Sequence, residues 1–123
     1  MDLQQVLSTY AEAWNEADPE KRLSLLERCW SDDGQYMDPA GTASGREQLS
    51  GYIGEFHARM PGARIELISG ASAHNSRIYF KWQLISGDGV VKIDGVDFGS
   101  VSRDGRLQEI VGFFGAPPER TGS

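Results

Sequence analysis

Three side chains that can carry a proton or a hydrogen bond, Tyr10, Asp38 and Asp97, each lie in a segment of otherwise apolar character. Asp97 shares one face of an alternating segment with Ile93 and Val101, so the sequence places its carboxyl group in the core. Removal from water disfavours a charged carboxyl group. A buried Asp97 is therefore expected to keep its proton near neutral pH and to donate a hydrogen bond, as a functional site would require.

Each of the three residues also has a purely structural interpretation. Asp97 could cap a turn or pair with a basic residue at the mouth of the fold. Asp38 precedes Pro39, and an Asp-Pro pair is a common way to leave a strand with the carboxylate bonded to backbone amides. Tyr10 could be an amphipathic core residue whose hydroxyl donates to a carbonyl. Residue types alone leave both interpretations open.

The elements that must position these residues begin with two short helices. Apolar residues recur at steps of three and four over residues 2–17, which places Tyr10 on the inward face and Asp2 at the N-cap. Asp18 then supplies a second cap, and Pro19 stands at the first position of the next helix.

A turn and a short extended segment separate the second helix from a third. The turn is predicted over residues 31–34, and Pro39 keeps Asp38 at the end of the extended segment out of helical geometry. Ser44 with Glu47 three residues later has the form of a capping box, which predicts the start of the third helix.

The second half of the chain has the pattern of consecutive β-hairpins. Strands of roughly ten residues, separated by short polar turns, are predicted over 64–73, 77–86, 90–101 and 106–115. Helices followed by an antiparallel meander predict an α+β domain whose helices cover one face of a curved sheet. The 123 residues fit one domain over 1–115, followed by a flexible polar tail over 116–123.

Composition excludes several classes of function. A formal net charge of −6 opposes nucleic-acid binding, because phosphate contacts need clustered basic residues. Cys29 is the single cysteine and fits a core position, so no internal disulfide is expected. No segment resembles an export signal or a membrane span, and we expect a cytoplasmic protein without membrane contacts. His57 and His74 lack the short spacing of a metal motif, so no metal is predicted.

Three stretches together resemble the nuclear-transport-factor-2-like superfamily, which includes ketosteroid isomerases and SnoaL-like polyketide cyclases. They are TYAEAWNEAD over residues 9–18, YMDPAG over 36–41, and the segment from VDF through DGRL to GFFG over 96–115. The resemblance covers residues from about 3 to 115. It implies a cone-shaped barrel, with three N-terminal helices packed on a strongly curved, mainly antiparallel sheet that encloses a pocket.

Within that superfamily, Tyr10, Asp38 and Asp97 fall where ketosteroid isomerases carry a tyrosine donor, an aspartate base and a protonated aspartic donor. The resemblance implies enolisation without a cofactor. Asp38 would remove a proton next to a carbonyl group, while Tyr10 and Asp97 donate hydrogen bonds to the developing oxyanion.

The resemblance also implies which side chains line the pocket. They are Trp14, Tyr52, Phe56, His57, Phe80, Trp82, Leu84, Ile110, Gly112 and Phe114. Trp82 would fill space that a steroid needs, so we expect a smaller apolar or aromatic ligand. His57 at the pocket rim is a further candidate base, although a histidine on a helix flank is more often solvated.

These observations favour a small isomerase or cyclase that acts on a compact apolar carbonyl compound. Two other functions stay open, namely a non-catalytic module that binds a small hydrophobic ligand and a protein-interaction domain of the same fold. By analogy with the superfamily, we expect a homodimer paired through the outer faces of the sheets.

Overall fold

Over residues 1–122, which the computed structural model describes, three helices precede most of a seven-stranded sheet. The helices are α1 (Leu3–Trp14), α2 (Pro19–Cys29) and α3 (Gly45–Arg59). The strands are β1 (Trp30–Asp38), β2 (Gly41–Ser44), β3 (Arg64–Leu67), β4 (Ser72–His74), β5 (Arg77–Ile85), β6 (Val91–Val101) and β7 (Leu107–Phe114).

Side-chain caps fix the starts of α1 and α2 as predicted. The Asp2 carboxylate accepts from the Gln5 amide at 2.9 Å, and the Gln5 side chain accepts from the Asp2 amide at 2.9 Å. Asp18 accepts from the Lys21 amide at 3.0 Å, with Pro19 at the first helical position. These bonds satisfy amides that the first helical turn leaves without partners.

The predicted capping box at the start of α3 is wrong. Ser44 makes no side-chain cap bond to the helix, and its hydroxyl instead accepts from Gln35 Nε2 at 2.7 Å. Ser44 pairs with Gln35 across the β1–β2 ladder, which turns its side chain toward the neighbouring strand. Gln48 takes over the reciprocal bond and accepts from the Ser44 amide at 2.9 Å.

The sheet is mixed and mostly antiparallel, in the order β2-β1-β7-β6-β5-β3, with β4 also paired to β5. Only the β1–β7 pair is parallel within the described residues, and it brings the end of the first strand next to the end of the last. The sheet does not close, so β2 and β3 stand at its two edges. The fold is the expected α+β class with a curved, cone-like sheet.

Three strand predictions differ from the structure. Residues 31–34 belong to β1 rather than to a turn, although the pairing of β1 with β7 is irregular between Trp30 and Gln35. The four-residue strand β2 was not predicted. The segment 64–73 divides into β3 and β4, because the Ser69 hydroxyl replaces a backbone carbonyl and accepts from the Lys81 amide at 2.8 Å.

The inner face of the sheet packs against the helices, and the outer face carries exposed aromatic residues. Tyr79, Phe98 and Phe113, here called the outer aromatic patch, are 45%, 47% and 52% exposed. Phe98 stacks on Tyr79 at 5.3 Å between ring centroids and meets Phe113 edge-on at 6.0 Å. Strand pairing extends the row from Phe98 through Val111 to the exposed Met37.

Cys29 is fully buried, as its predicted core position requires, and burial raises the pKa of its thiol to about 12. Residues 116–122 of the predicted tail contain neither helix nor strand, and residue 123 lies outside the described residues. Within residues 1–122 no helix combines the length and the apolar character needed to cross a membrane.

Candidate active site

A cavity of about 170 Å³ lies between the helices and the inner face of the sheet, and Tyr10, Asp38 and Asp97 all line it. Most of the remaining wall is apolar. Predicted lining residues that do reach the cavity are Trp14, Tyr52, Phe56, Phe80, Trp82, Leu84 and Phe114. The volume lies below the ~300–1,000 Å³ typical of sites for drug-sized ligands, so the cavity suits a compact molecule.

Asp38 ends β1 and is held by the tight connection to β2. Its Oδ1 accepts from the Ala40 amide at 2.8 Å and from the Gly41 amide at 3.1 Å, so the backbone-bonding interpretation of the Asp-Pro pair is realised. Two phenols also donate to the same carboxylate. Tyr52 bonds Oδ1 and Tyr36 bonds Oδ2, each at 2.6 Å.

These four bonds leave one part of the carboxylate available. Each carboxylate oxygen offers about two lone pairs, so the three donors to Oδ1 must share the two lone pairs of that oxygen. Asp38 Oδ1 accepts three hydrogen bonds, whereas Oδ2 accepts one, from Tyr36. The open lone pair of Oδ2 is therefore the position from which Asp38 can receive a proton from a ligand.

Both phenols are suited to remain hydrogen-bond donors. Burial raises the pKa of Tyr36 and of Tyr52, and their bonds to Asp38 raise the pKa of each further. Sequence reasoning did not assign Tyr36 to the site. The available signal was its position two residues before Asp38, which places both side chains on one face of a strand.

Tyr10 presents a buried hydroxyl group that has no hydrogen-bond partner within residues 1–122. Its ring stacks on Trp30 at 5.7 Å between centroids, and the residue is 3% exposed. Among residues 1–122, nothing forms a hydrogen bond with Tyr10 Oη, so the predicted alternative of a bond to a carbonyl is not realised. Trp30 Nε1 beside it is likewise without a partner in these residues. Burial and the nearby Asp97 raise the pKa of Tyr10, the Trp14 side chain opposes the rise without meeting hydrogen-bond geometry, and the phenol stays protonated.

Asp97 lies on the inner face of β6 and is 5% exposed. Its Oδ1 accepts from Trp82 Nε1 at 2.9 Å. The Trp82 ring lies across Gly95, where an added Cβ would come within 2.1 Å of the ring. Burial raises the pKa of Asp97 to about 7, against the lowering effect of the Trp82 bond and with a further rise caused by Asp38. Within residues 1–122, Asp97 forms no ion pair, so pairing with a basic residue is not its role.

Gly112 lets the two acids approach each other. It pairs with Asp97 across the β6–β7 ladder. An added Cβ would lie 2.9 Å from Asp97 Oδ1 and 3.4 Å from Asp38 Cβ. Gly112 was predicted to line the pocket, but it stands between the two aspartates and outside the cavity wall.

Two further residues predicted to line the pocket lie elsewhere. His57 Nε2 is 2.8 Å from the Trp14 carbonyl oxygen, because its face of α3 packs toward α1. The ring is therefore tied to a helix end and does not line the cavity. Ile110 is fully buried in the core, where its side chain packs beneath Gly99.

Several lining residues were not predicted from the sequence. They are Tyr36, Ala40, Arg59, Met60, Ile65, Leu67 and Ile93. Arg59 and Met60 follow Phe56 at helical steps of three and four, and Ile65 and Leu67 alternate along β3, so periodicity could have found these four. Among residues 1–122, no group of three or more His, Cys, Asp or Glu side chains is arranged to hold a metal ion.

Comparisons with known proteins identify one family that matches this chain. The model of the SnoaL-like domain family matches residues 7–110. A solved structure from Agrobacterium tumefaciens, named as a SnoaL-like protein with isomerase as a provisional activity, is 32% identical with a TM-score of 0.85, over 92% of this chain and 97% of that one. No curated protein matches the chain.

More distant structures share the fold alone. A protein with a cystatin-like fold from Methylobium petroleophilum is 18% identical with a TM-score of 0.75, over 95% of this chain and 78% of that one. A protein with a ketosteroid isomerase-like fold from Catenulispora acidiphila, solved with trimethylamine, is 19% identical with a TM-score of 0.69, over 87% and 82% of the two chains.

Proposed function

Since the chain belongs to the SnoaL-like family of the nuclear-transport-factor-2-like superfamily, we propose that it is an isomerase or cyclase that enolises a compact apolar carbonyl compound. The proposed chemistry needs only this chain's side chains. Asp38 acts as the base, and Tyr10 and neutral Asp97 act as hydrogen-bond donors.

The proposed reaction transfers one proton within the substrate. Asp38 Oδ2 accepts a proton from the carbon next to the carbonyl group, and negative charge develops on the carbonyl oxygen. The Tyr10 hydroxyl and the proton of Asp97 stabilise that oxygen. Asp38 then returns the proton to the same or another carbon. In the cyclase reaction, the enolate carbon instead attacks a second carbonyl carbon of the same molecule, the C=O π bond of that carbonyl opens to an alkoxide, and Asp38 returns its proton to this alkoxide.

The observation that carries the proposal is the unpaired Tyr10 hydroxyl beside a raised-pKa carboxyl group in one apolar cavity. A buried hydroxyl without a partner costs stability, and a ligand oxygen would satisfy it. The pKa of Asp97, raised to about 7 by burial, leaves a large fraction of this group protonated near neutral pH. Both donors line the same cavity as Asp38.

Exchange of substrate-type protons with solvent tests the proposed base. In D₂O, the wild-type protein should exchange the protons next to the carbonyl group of 4-methylcyclohexanone, and proton NMR follows the loss of their signal. Asp38→Asn should lower the rate by about 10²-fold or more. Asp32→Asn is the matched control, because Asp32 is an exposed residue of the same strand.

Each outcome has a definite meaning. Full exchange by the Asp38→Asn variant would refute the proposed base. Binding of the ketone without exchange by the wild-type protein would instead favour a ligand-binding module.

A further inference from the structure

The mouth of the cavity carries a single basic side chain. The sequence has 12 lysine and arginine residues, and within residues 1–122 only Arg59 lines the cavity. Arg59 is the last residue of α3, one turn beyond Phe56, and its side chain is exposed. The guanidinium group can therefore meet a ligand without being removed from water beforehand.

Within residues 1–122, no contact of the Arg59 side chain explains its position. The guanidinium group forms neither a hydrogen bond nor an ion pair with these residues. Arg22, by contrast, donates to Ser50 Oγ at 3.1 Å, and Arg46 donates to the Trp30 carbonyl at 2.8 Å. A cation in the last turn also interacts favourably with the helix dipole, but that interaction does not require the side chain to line the cavity.

Tyr52 gives the order of the charged groups along the cavity. Its hydroxyl donates to Asp38 at 2.6 Å. Arg59 lies seven residues further along α3, which is about 10 Å of helix rise, and it lines the same cavity as Tyr52. The cavity thus has an acidic end at Asp38 and Asp97 and a basic group two helical turns from Tyr52, with Phe56 between Tyr52 and Arg59 along α3.

We propose that Arg59 binds a carboxylate group of the substrate, which makes the substrate class a compact oxo acid with its carbonyl and carboxylate groups at opposite ends. This proposal rests on the proposed function. A guanidinium group offers two parallel N–H donors that match the two oxygens of a carboxylate. The protein's net charge of −6 repels anions in general. The positive charge of Arg59 opposes this repulsion at the cavity and so favours the entry of a ligand with a carboxylate group.

A matched pair of probes tests the proposal. In 4-oxocyclohexanecarboxylate a carboxylate stands opposite the ketone, and in 4-methylcyclohexanone a methyl group takes that place. NMR titration of the wild-type protein should give about tenfold tighter binding for the carboxylate. Added salt should reduce this preference, because the Arg59 side chain is exposed.

Variants of Arg59 test whether this side chain causes the preference for the carboxylate probe. Arg59→Gln should bind the two probes equally, and Arg59→Lys should keep part of the preference because it retains the charge without the planar fork. Arg103→Gln is the matched control, since Arg103 is exposed and lies outside the cavity lining. This control should keep the full preference.

The outcomes separate this proposal from the proposed function. Equal binding of the two probes by the wild-type protein, a preference that survives in Arg59→Gln, or no saturable binding of the carboxylate at millimolar concentration would overturn it. Asp38→Asn should keep the preference for the carboxylate even when proton exchange is lost. A variant that loses proton exchange but keeps the preference for the carboxylate therefore identifies a role of Asp38 in the chemistry. A variant that keeps proton exchange but loses the preference identifies a role of Arg59 in binding.

Discussion

Replacing Tyr10 with Phe is expected to stabilise the free protein and to impair its chemistry. The Tyr10 hydroxyl is buried and has no hydrogen-bond partner within residues 1–122. Phenylalanine keeps the ring that stacks on Trp30 and removes only the unpaired hydroxyl group. Selection for stability alone would favour Phe at this position, so the hydroxyl needs another explanation.

The unpaired Tyr10 hydroxyl sets the expected effects of Tyr10→Phe on the free energy of unfolding and on the rate of proton exchange. An unsatisfied buried polar group costs about 1–3 kcal/mol, so Tyr10→Phe should raise the free energy of unfolding by about 1 kcal/mol or more. Loss of one oxyanion donor should lower the rate of proton exchange by about 10²–10³-fold.

Tyr36→Phe is the matched control, because it makes the same chemical change at a paired hydroxyl. The Tyr36 hydroxyl donates to Asp38 Oδ2 at 2.6 Å, and hydrogen bonds to charged groups contribute about 1.5–3 kcal/mol. Urea unfolding should therefore show destabilisation of this variant by about that amount. The two Tyr→Phe changes are expected to have opposite signs.

Two results would refute this reasoning. Destabilisation by Tyr10→Phe would mean that the hydroxyl has a structural partner in solution. Unchanged proton exchange in the same variant would mean that the hydroxyl does not contact the reacting oxygen.

Two further predictions concern Asp97 and the outer face of the sheet. Because burial raises the pKa of Asp97 from 3.8 to about 7, the native state binds more protons than the unfolded state between these values. Wild-type stability relative to Asp97→Asn should then fall as pH rises through that range, by up to about 4 kcal/mol in urea unfolding, and parallel profiles would contradict this. We also propose that the outer aromatic patch pairs two copies of the chain, so Phe98→Asp should convert a dimer to a monomer in light scattering. Val90→Asp, at an exposed apolar residue off the patch, should stay dimeric, and a monomeric wild-type protein would contradict the proposal.

The helices and strands that position the site could be predicted from the sequence where neighbouring residues determine them. Asp2 and Asp18 cap helices whose apolar spacing turns Tyr10 inward, and strand alternation places Asp97 on the buried face. Pro39 correctly indicates that Asp38 ends a strand. In these cases the signal lies within a few residues of the position it predicts.

Contacts between distant elements were not predictable in the same way. Tyr52 reaches Asp38 from α3, 14 residues away, and Arg59 lies at the cavity because α3 runs along its mouth. His57 was predicted at the pocket rim, whereas its ring bonds the Trp14 carbonyl at the end of α1, a contact between distant segments that no local pattern indicates. Ser44 shows the same competition, because strand pairing with Gln35 outweighs the local capping pattern.

The most direct test of the central claim is a carbon NMR titration of the Asp97 side-chain carboxyl group, with Asp97→Asn used to assign the signal. The Asp97 carboxyl group should titrate with a midpoint near 7, as expected for a buried acid that can donate a hydrogen bond near neutral pH. A midpoint near the ordinary value of 3.8 would contradict it, because an ionised Asp97 could not donate to a developing oxyanion.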